Sequence, residues 1–488
     1  MKRFSILLLL CIFYSSSFAQ SQEDSYQQFR KGLLNNYQDF RKSVIDNYSS
    51  YLEDVWKKYE TFTGNKRNPH PKPKKAPDVN TTPPNDPSKD TPIVIKPKEK
   101  DTSIVPSPKP TPLPSPSTPT TPTLPQYDDV SFPFYGVVVK VPRLECLNVG
   151  EFTPQNVSKI WKKYNDSNNK ISCKELNQKV KLLGINDWFT FELVRSYVNF
   201  SFKTSNAIDR IVLQHFVLVN LGYDIRIAQQ DGEPILLVAI EETIYNRSYI
   251  KIDGVNYYVY DDNNNDGLNK GGVYTCDLPS NLDLGKRINM IIKSDFHLSS
   301  SEKHHCQLSW KDMILNIDVD KKQMEMLRHY PPMDIHMYAS STIKKSVRQS
   351  VLDQLKPFIQ GLSVPEAANK LLNFVQFAFD YATDQDQHGY EKSYFFEENF
   401  YYPKNDCEDR AIFYAYLVRY LLGLDVVLVQ YPGHECTAVN FSNSNIQGDA
   451  LRYNGKRFII CDPTYIGASI GQCMPQYQNV VPVRIDEW

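Results

Sequence analysis

The sequence predicts an α+β protein, and three observations carry that prediction. The last third runs through helices near 343–358, 365–382 and 408–421 before consecutive apolar strands begin at Asp425. The chain resembles itself at a shift of about 200 residues, so the same helix-then-strands order occurs twice. A proline tract separates this globular part from a single amphipathic helix, since 18 of the 32 prolines fall between residues 66 and 126.

Residues 1–19 form a signal peptide. Lys2 and Arg3 precede an apolar stretch from Ile6 to Tyr14, and Ser17-Phe18-Ala19 is a small-x-small cleavage site. Cys11 follows Leu10 where lipoprotein processing needs a small residue, so simple cleavage after Ala19 is expected. No later run is apolar enough to span a bilayer as a helix, which points to an exported protein, periplasmic or secreted. Within 20–64, residues 22–63 read as one helix: Tyr26, Phe29, Leu33, Tyr37, Phe40, Val44, Tyr48, Tyr51, Val55 and Tyr59 recur at steps of three and four. Its apolar face needs a cover, by docking on a surface or by self-association. Residues 65–127 cannot build a core and read as an extended, disordered linker.

Residues 128–276 carry strands at Tyr135–Val141, Tyr223–Ile227, Ile235–Ile240 and Tyr257–Tyr260, and helices near 155–164, 174–183, 188–202 and 208–221. A β-rich connection follows over 277–342, with strands expected at Asn289–Ile292, Met313–Val319 and Met333–Tyr338. Residues 343–488 complete the chain, with strands at Asp425–Gln430, 434–441 and 456–461. In the internal comparison Ala207 lies against Cys407, a position near Ile235 against His434, and Asp261 against Asp462. The earlier copy is therefore degenerate and looks catalytically empty. The later copy also carries about twenty additional residues, Thr383 to Asn405, rich in aromatics that would serve as a substrate wall.

Lys plus Arg numbers 55 and Asp plus Glu 56, a net charge of −1 that argues against nucleic acid as a partner. Eight cysteines outside the signal segment are too sparse for a disulfide scaffold. One of them is specially placed. Cys407 opens a helix, whose N-terminal dipole favours thiolate, although Asp406, Glu408 and Asp409 oppose it. His434 opens one strand and Asp462 closes another, so a central Cys-bearing helix against an antiparallel sheet would assemble nucleophile, base and orienting carboxylate. The Cys407 N–H, with Tyr401, Tyr402 or Asn405, is the expected oxyanion site.

The residues Asp-Cys-Glu-Asp-Arg-Ala at 406–411, His-Glu-Cys-Thr-Ala-Val at 434–439 and Cys-Asp-Pro-Thr-Tyr at 461–465 resemble the transglutaminase-like superfamily. The resemblance covers 343–488 well and 128–276 faintly. It implies a papain-like core and catalysis by Cys407, His434 and Asp462. Asn405 stands where the family often has a small residue two before the cysteine, and the aromatic often found after the histidine is missing.

The expected activity is a cysteine-dependent hydrolase or acyltransferase acting on amide bonds in proteins or peptides, with no cofactor and no metal. The rival is a non-catalytic exported binding or scaffold protein. Zinc held by Cys407, His434, Cys436 and Asp462 is the competing chemistry, disfavoured by the lack of CxxC spacing. Asp262–Gly267 matches the opening of a calcium loop, but its twelfth position is Val273, so it reads as a polar turn. His304-His305-Cys306 falls on alternate faces of a strand and reads as a solvated segment.

Overall fold

A computed structural model describes residues 48–64, 129–262, 272–278, 285–298, 300, 302–442 and 446–487. The signal segment, most of the 22–63 helix and the 65–127 linker lie outside these residues. The class is α+β, with helices packed on antiparallel sheets. The described chain divides into two compact units, one of residues 48–64, 144–182 and 187–290, the other of 129–143, 183–186 and 291–487.

In the first unit, helix Pro154–Asn165 starts where Thr153 accepts from Asn156 N and proline occupies the first turn. Its buried stripe is Val157, Ile160, Trp161 and Tyr164. Helix Ala207–Leu221 is apolar nearly all round, as a helix at the centre of a core must be, and stops at Gly222 with φ 103°. A six-stranded antiparallel sheet follows in the order Lys57–Tyr59, Val273–Thr275, Ile225–Gln230, Glu233–Ala239, Val255–Tyr260, Tyr249–Ile252. The expected 22–63 helix does not run to its end. Helical backbone stops at Leu52, and Lys57–Tyr59 becomes a sheet-edge strand that pairs with Val273–Thr275. That ladder satisfies the backbone groups of 57–59, and Val55 is left 86% exposed.

In the second unit, the hairpin Lys303–Trp310/Met313–Asp320 buries alternate residues of its second strand and packs on helices Lys345–Ile359 and Val364–Ala378. The unit thus draws on residues upstream of 343, including the Asp129–Phe134/Val137–Pro142 hairpin. Two expected strands are absent. Asn289–Ile292 is irregular, and the run at 333–338 is helix Ile335–Ser340 behind Asp334. A short apolar run fits either state, and burial of Ile335, Met337 and Tyr338 on a helix decides it here.

Every residue of helix Cys407–Leu417 is buried, and it packs on strands Asp425–Tyr431 and His434–Asn440. Five strands form an antiparallel sheet in the order Ala450–Tyr453, Lys456–Cys461, His434–Asn440, Asp425–Tyr431, Arg484–Asp486.

Leaving aside Lys57–Tyr59, both units place the strands after the central helix in one order. The first strand lies between an added outer strand and the second, and the fourth separates the second from the third. Register corrects one sequence equivalence. Tyr431 pairs with His434 as Gln230 pairs with Glu233, so the counterpart of His434 is Glu233 rather than a residue near Ile235.

Candidate active site

Cys407 is the first residue of its helix and is wholly buried. Its sulfur accepts a hydrogen bond from the backbone N–H of Glu435, the residue after His434. The thiol donates to Glu408 Oε2 at 3.2 Å. Burial, followed by the charges of Glu408 and Asp406, holds the thiol well above its ordinary range, so the resting group is neutral. The helix dipole and the Glu435 N–H favour thiolate but do not overcome this.

His434 begins its strand after Gly433, whose φ of 79° lets the hairpin turn. Its Nε2 meets Asp462 Oδ2 at 2.7 Å, with both side chains buried. Asp462 Oδ1 accepts from the N–H groups of Thr464 (2.9 Å) and Tyr465 (3.1 Å). The two carboxylate oxygens thus have separate duties, one orienting the imidazole and one closing the turn after Pro463. Tyr477 stacks on the other side of the site, its ring 5.2 Å from that of His434 and nearly parallel to it.

The structure therefore brings Cys407 against the start of the His434 strand and joins His434 to Asp462. The expected oxyanion residues fare differently. Asn405 Oδ1 accepts from Arg410 Nε and its Nδ2 donates to Asn399, both at 2.9 Å, so the amide positions the arginine. Tyr401 packs against His304, and Tyr402 against His388 and Tyr394. The expected substrate wall is largely core: Phe396 stacks on Phe413, and Phe395 packs on Tyr330 and Tyr338.

Two residues missed in the sequence stand out. Gln376 Nε2 faces the carbonyl oxygens of Asp462, Tyr465 and Ala468 at 2.9–3.0 Å, while its Oε1 accepts from Gly467 N. Tyr381 pairs with Asn405 in a two-residue parallel bridge, and burial, followed by the nearness of Cys407, pushes its phenol up. Its buried hydroxyl has no hydrogen-bond partner. A buried glutamine inside an apolar helix pattern was a signal for the first; nothing in the sequence marked the second.

His434, Cys436 and Asp462 each offer a donor atom within 4.8 Å of the other two. Cys407 belongs to a different group, with Asp406 and Glu408, so the four residues considered for zinc do not form one such cluster. Cys436 lies in the apolar cluster with Val427, Val429 and Ile460. All eight described cysteines are free. No described helix is long and apolar enough to cross a membrane.

No protein-family model, no curated protein and no solved structure matches this chain.

Proposed function

We propose that the chain is an exported cysteine-dependent hydrolase or acyltransferase for amide bonds in proteins or peptides, built on a transglutaminase-like, papain-like unit with a degenerate copy before it. The observation that carries the reading is the buried His434–Asp462 bond of 2.7 Å, on the strand whose Glu435 N–H meets the Cys407 sulfur. The shared strand order of the two sheets supports the duplication.

Because the resting thiol is neutral, His434 would act as general base during attack. Asp462 occupies Nε2, which leaves Nδ1 to take the Cys407 proton as sulfur bonds to the carbonyl carbon. That proton then passes to the leaving amine as the C–N bond breaks, and water or a second amine opens the thioester. Tyr381 replaces Tyr401, Tyr402 and Asn405 as the favoured oxyanion donor. A second reading, a non-catalytic binding or scaffold protein, is favoured by the complete burial of Cys407 and its bond to Glu408.

The test is incubation with a peptide library containing Gln and Lys, followed by mass spectrometry. Cleavage, deamidation or crosslinking is expected, falling to background in Cys407→Ala and by about 10²–10⁴-fold in His434→Ala. The double variant should be hardly worse than Cys407→Ala alone. Turnover that survives Cys407→Ala, or no turnover by the wild type, refutes the enzyme reading.

A further inference from the structure

Strand Lys303–Trp310 pairs with Met313–Asp320 along one side and with no described strand along the other. Register shows which backbone groups that leaves open. Trp310 lies opposite Met313 across the two-residue turn Lys311-Asp312, where Lys311 has φ 54°. The closing pair of such a hairpin is hydrogen-bonded, and hydrogen-bonded pairs recur at every second residue. His304, Cys306, Leu308 and Trp310 therefore turn their N–H and C=O groups toward the neighbouring strand. Lys303, His305, Gln307 and Ser309 turn theirs outward. The opposite edge of the hairpin obeys the same alternation and is covered. Asn316, across from Gln307, bonds outward through both N–H and C=O to the side chain of Gln354, at 2.8 and 2.9 Å. None of the four outward residues of 303–310 has a backbone partner among the described residues.

The apolar layer also stops short at this edge. Met313, Leu315, Ile317 and Val319 are buried, but Trp310, Leu308, Cys306 and His304 opposite them are half-buried. Phe377, stacked on Trp310, is 45% exposed. Cys306 is one of two described cysteines that are not buried. Its central place in the strand decides what fits. A second copy of the strand, related by a two-fold axis perpendicular to the sheet, keeps like faces together, so even residues meet even ones. With the axis through Cys306, Lys303 meets Ser309, His304 meets Leu308 and His305 meets Gln307. No like charges are opposed, and Glu302 comes beside Lys311 of the second copy. Moving the axis to Gln307 sets Lys303 opposite Lys311. Moving it to His305 sets two imidazoles face to face and leaves Ser309 and Trp310 without a strand partner.

We propose that strand Lys303–Trp310 is the interface of a symmetric homodimer, in which two copies pair antiparallel about Cys306 and the two Cys306 side chains close an intermolecular disulfide. Across the axis Cys306 forms a non-hydrogen-bonded pair. The Cα atoms of such a pair stand about 4.5 Å apart, within the roughly 4.4–6.8 Å that a disulfide spans. The oxidant is a small-molecule disulfide. One Cys306 loses its proton and its sulfur attacks that disulfide, expelling one thiolate. The second Cys306 sulfur, also deprotonated, then attacks the first and displaces the other. The Cys306 pair is oxidised by two electrons, and the small disulfide is reduced to two thiols that carry the two protons. The pairing needs neither Cys407 nor His434 and does not rest on the proposed catalysis.

The experiment treats the full chain with oxidised glutathione at mildly alkaline pH, because partial burial pushes the Cys306 thiol up. Light scattering should give twice the chain mass, and peptide mapping should find Cys306 joined to Cys306. Hydrogen exchange should slow at the amides of His305, Gln307 and Ser309 relative to the reduced, dilute chain. Cys306→Ser should abolish the covalent dimer. Gln307→Pro removes an outward N–H and leaves the ladder to Met313–Asp320 intact, so the disulfide should form about tenfold more slowly or worse. A wild type that stays monomeric in oxidised glutathione overturns the proposal, as does a crosslink through any other cysteine. So does a dimer whose His305, Gln307 and Ser309 amides exchange as in the monomer, since another surface then holds it. A folded Gln307→Pro that crosslinks at the wild-type rate also overturns it. The wild-type readouts decide the matter even where a variant fails to fold, and none of them depends on turnover.

Discussion

Gln376→Met tests whether one side chain holds the turn that presents Asp462. Methionine keeps the length and volume of glutamine but removes its amide. Two N–H groups serve three carbonyl oxygens, of Asp462, Tyr465 and Ala468, and Oε1 serves Gly467 N. The variant therefore loses about three hydrogen bonds and leaves buried carbonyls and an amide without partners. At ~1–1.5 kcal/mol each, the cost is about 3–5 kcal/mol, a large part of the ~5–15 kcal/mol that holds a typical domain. Urea unfolding followed by circular dichroism measures the total. Hydrogen exchange at Thr464, Tyr465 and Gly467 locates the loss, because the first two amides bond Asp462 Oδ1. A loss under about 1 kcal/mol, with these amides as protected as in the wild type, would refute the pinning role.

The two units should respond to pH in opposite directions. Burial raises the Glu397 carboxyl to about 7, although it accepts from Lys344 N. Its protonated form is favoured by folding, so stability is full below the unfolded value near 4.5 and is lost as pH rises through 7. The loss is about 3 kcal/mol, and Glu397→Gln should recover it at pH 8 but not at pH 4.5, as read by urea unfolding at both pH values. Burial lowers His215 to about 3, where its Nδ1 accepts from Trp161 and its Nε2 meets Ile225 O. The unfolded chain takes this proton first, so stability is lost as pH falls from 6.5 toward 3, by on the order of 5 kcal/mol. His215→Gln keeps both neutral bonds and should flatten that slope, and a slope equal to that of the wild type would show that another group is responsible.

Much of the second unit was legible because its central helix and strands obey simple rules. Helix Cys407–Leu417 begins behind an Asp, and Gly423 with φ 65° ends its extension. Strand Asp425–Tyr431 carries the continuous apolar run Val426–Val429, all four residues buried, as a strand covered on both faces must be. The failures also have physical causes. The Phe residues of the insertion looked like a substrate wall because composition does not say which face they meet; packing on Phe413, Tyr330 and Tyr338 does. The matching of His434 to a position near Ile235, 199 positions away, fell two residues short of the 201 that strand register sets, because an apolar run carries no local mark of register. Ala207 and Cys407 are 200 positions apart, but Gly222 and Gly423 are 201 apart. The additional residue is taken up by the π turn at Val418–Leu422. No local pattern marks such a turn, yet it moves every later equivalence by one.

That single inserted residue sharpens the comparison between the units. With register corrected, Asn206, Ala207, Ile208, Glu233 and Asp261 stand where the second unit has Asp406, Cys407, Glu408, His434 and Asp462. The first unit shows that the helix, its cap and the strand order form without a thiol, an imidazole or acids at the first and third of these positions. Such groups are costly to bury, and Glu408 and Cys407 are wholly inside. Residues that a fold does not need, and that cost it stability, are best explained by chemistry at that place. The closing aspartate needs a different account in each unit. The Asp261 carbonyl accepts from Arg195 Nη2 at 2.8 Å, which is a structural duty, whereas the Asp462 carboxylate divides between a turn and an imidazole. Only the second arrangement leaves an imidazole oriented by a buried carboxylate on the strand against which the cysteine helix packs, and this difference is why the proposed function is assigned to the later unit.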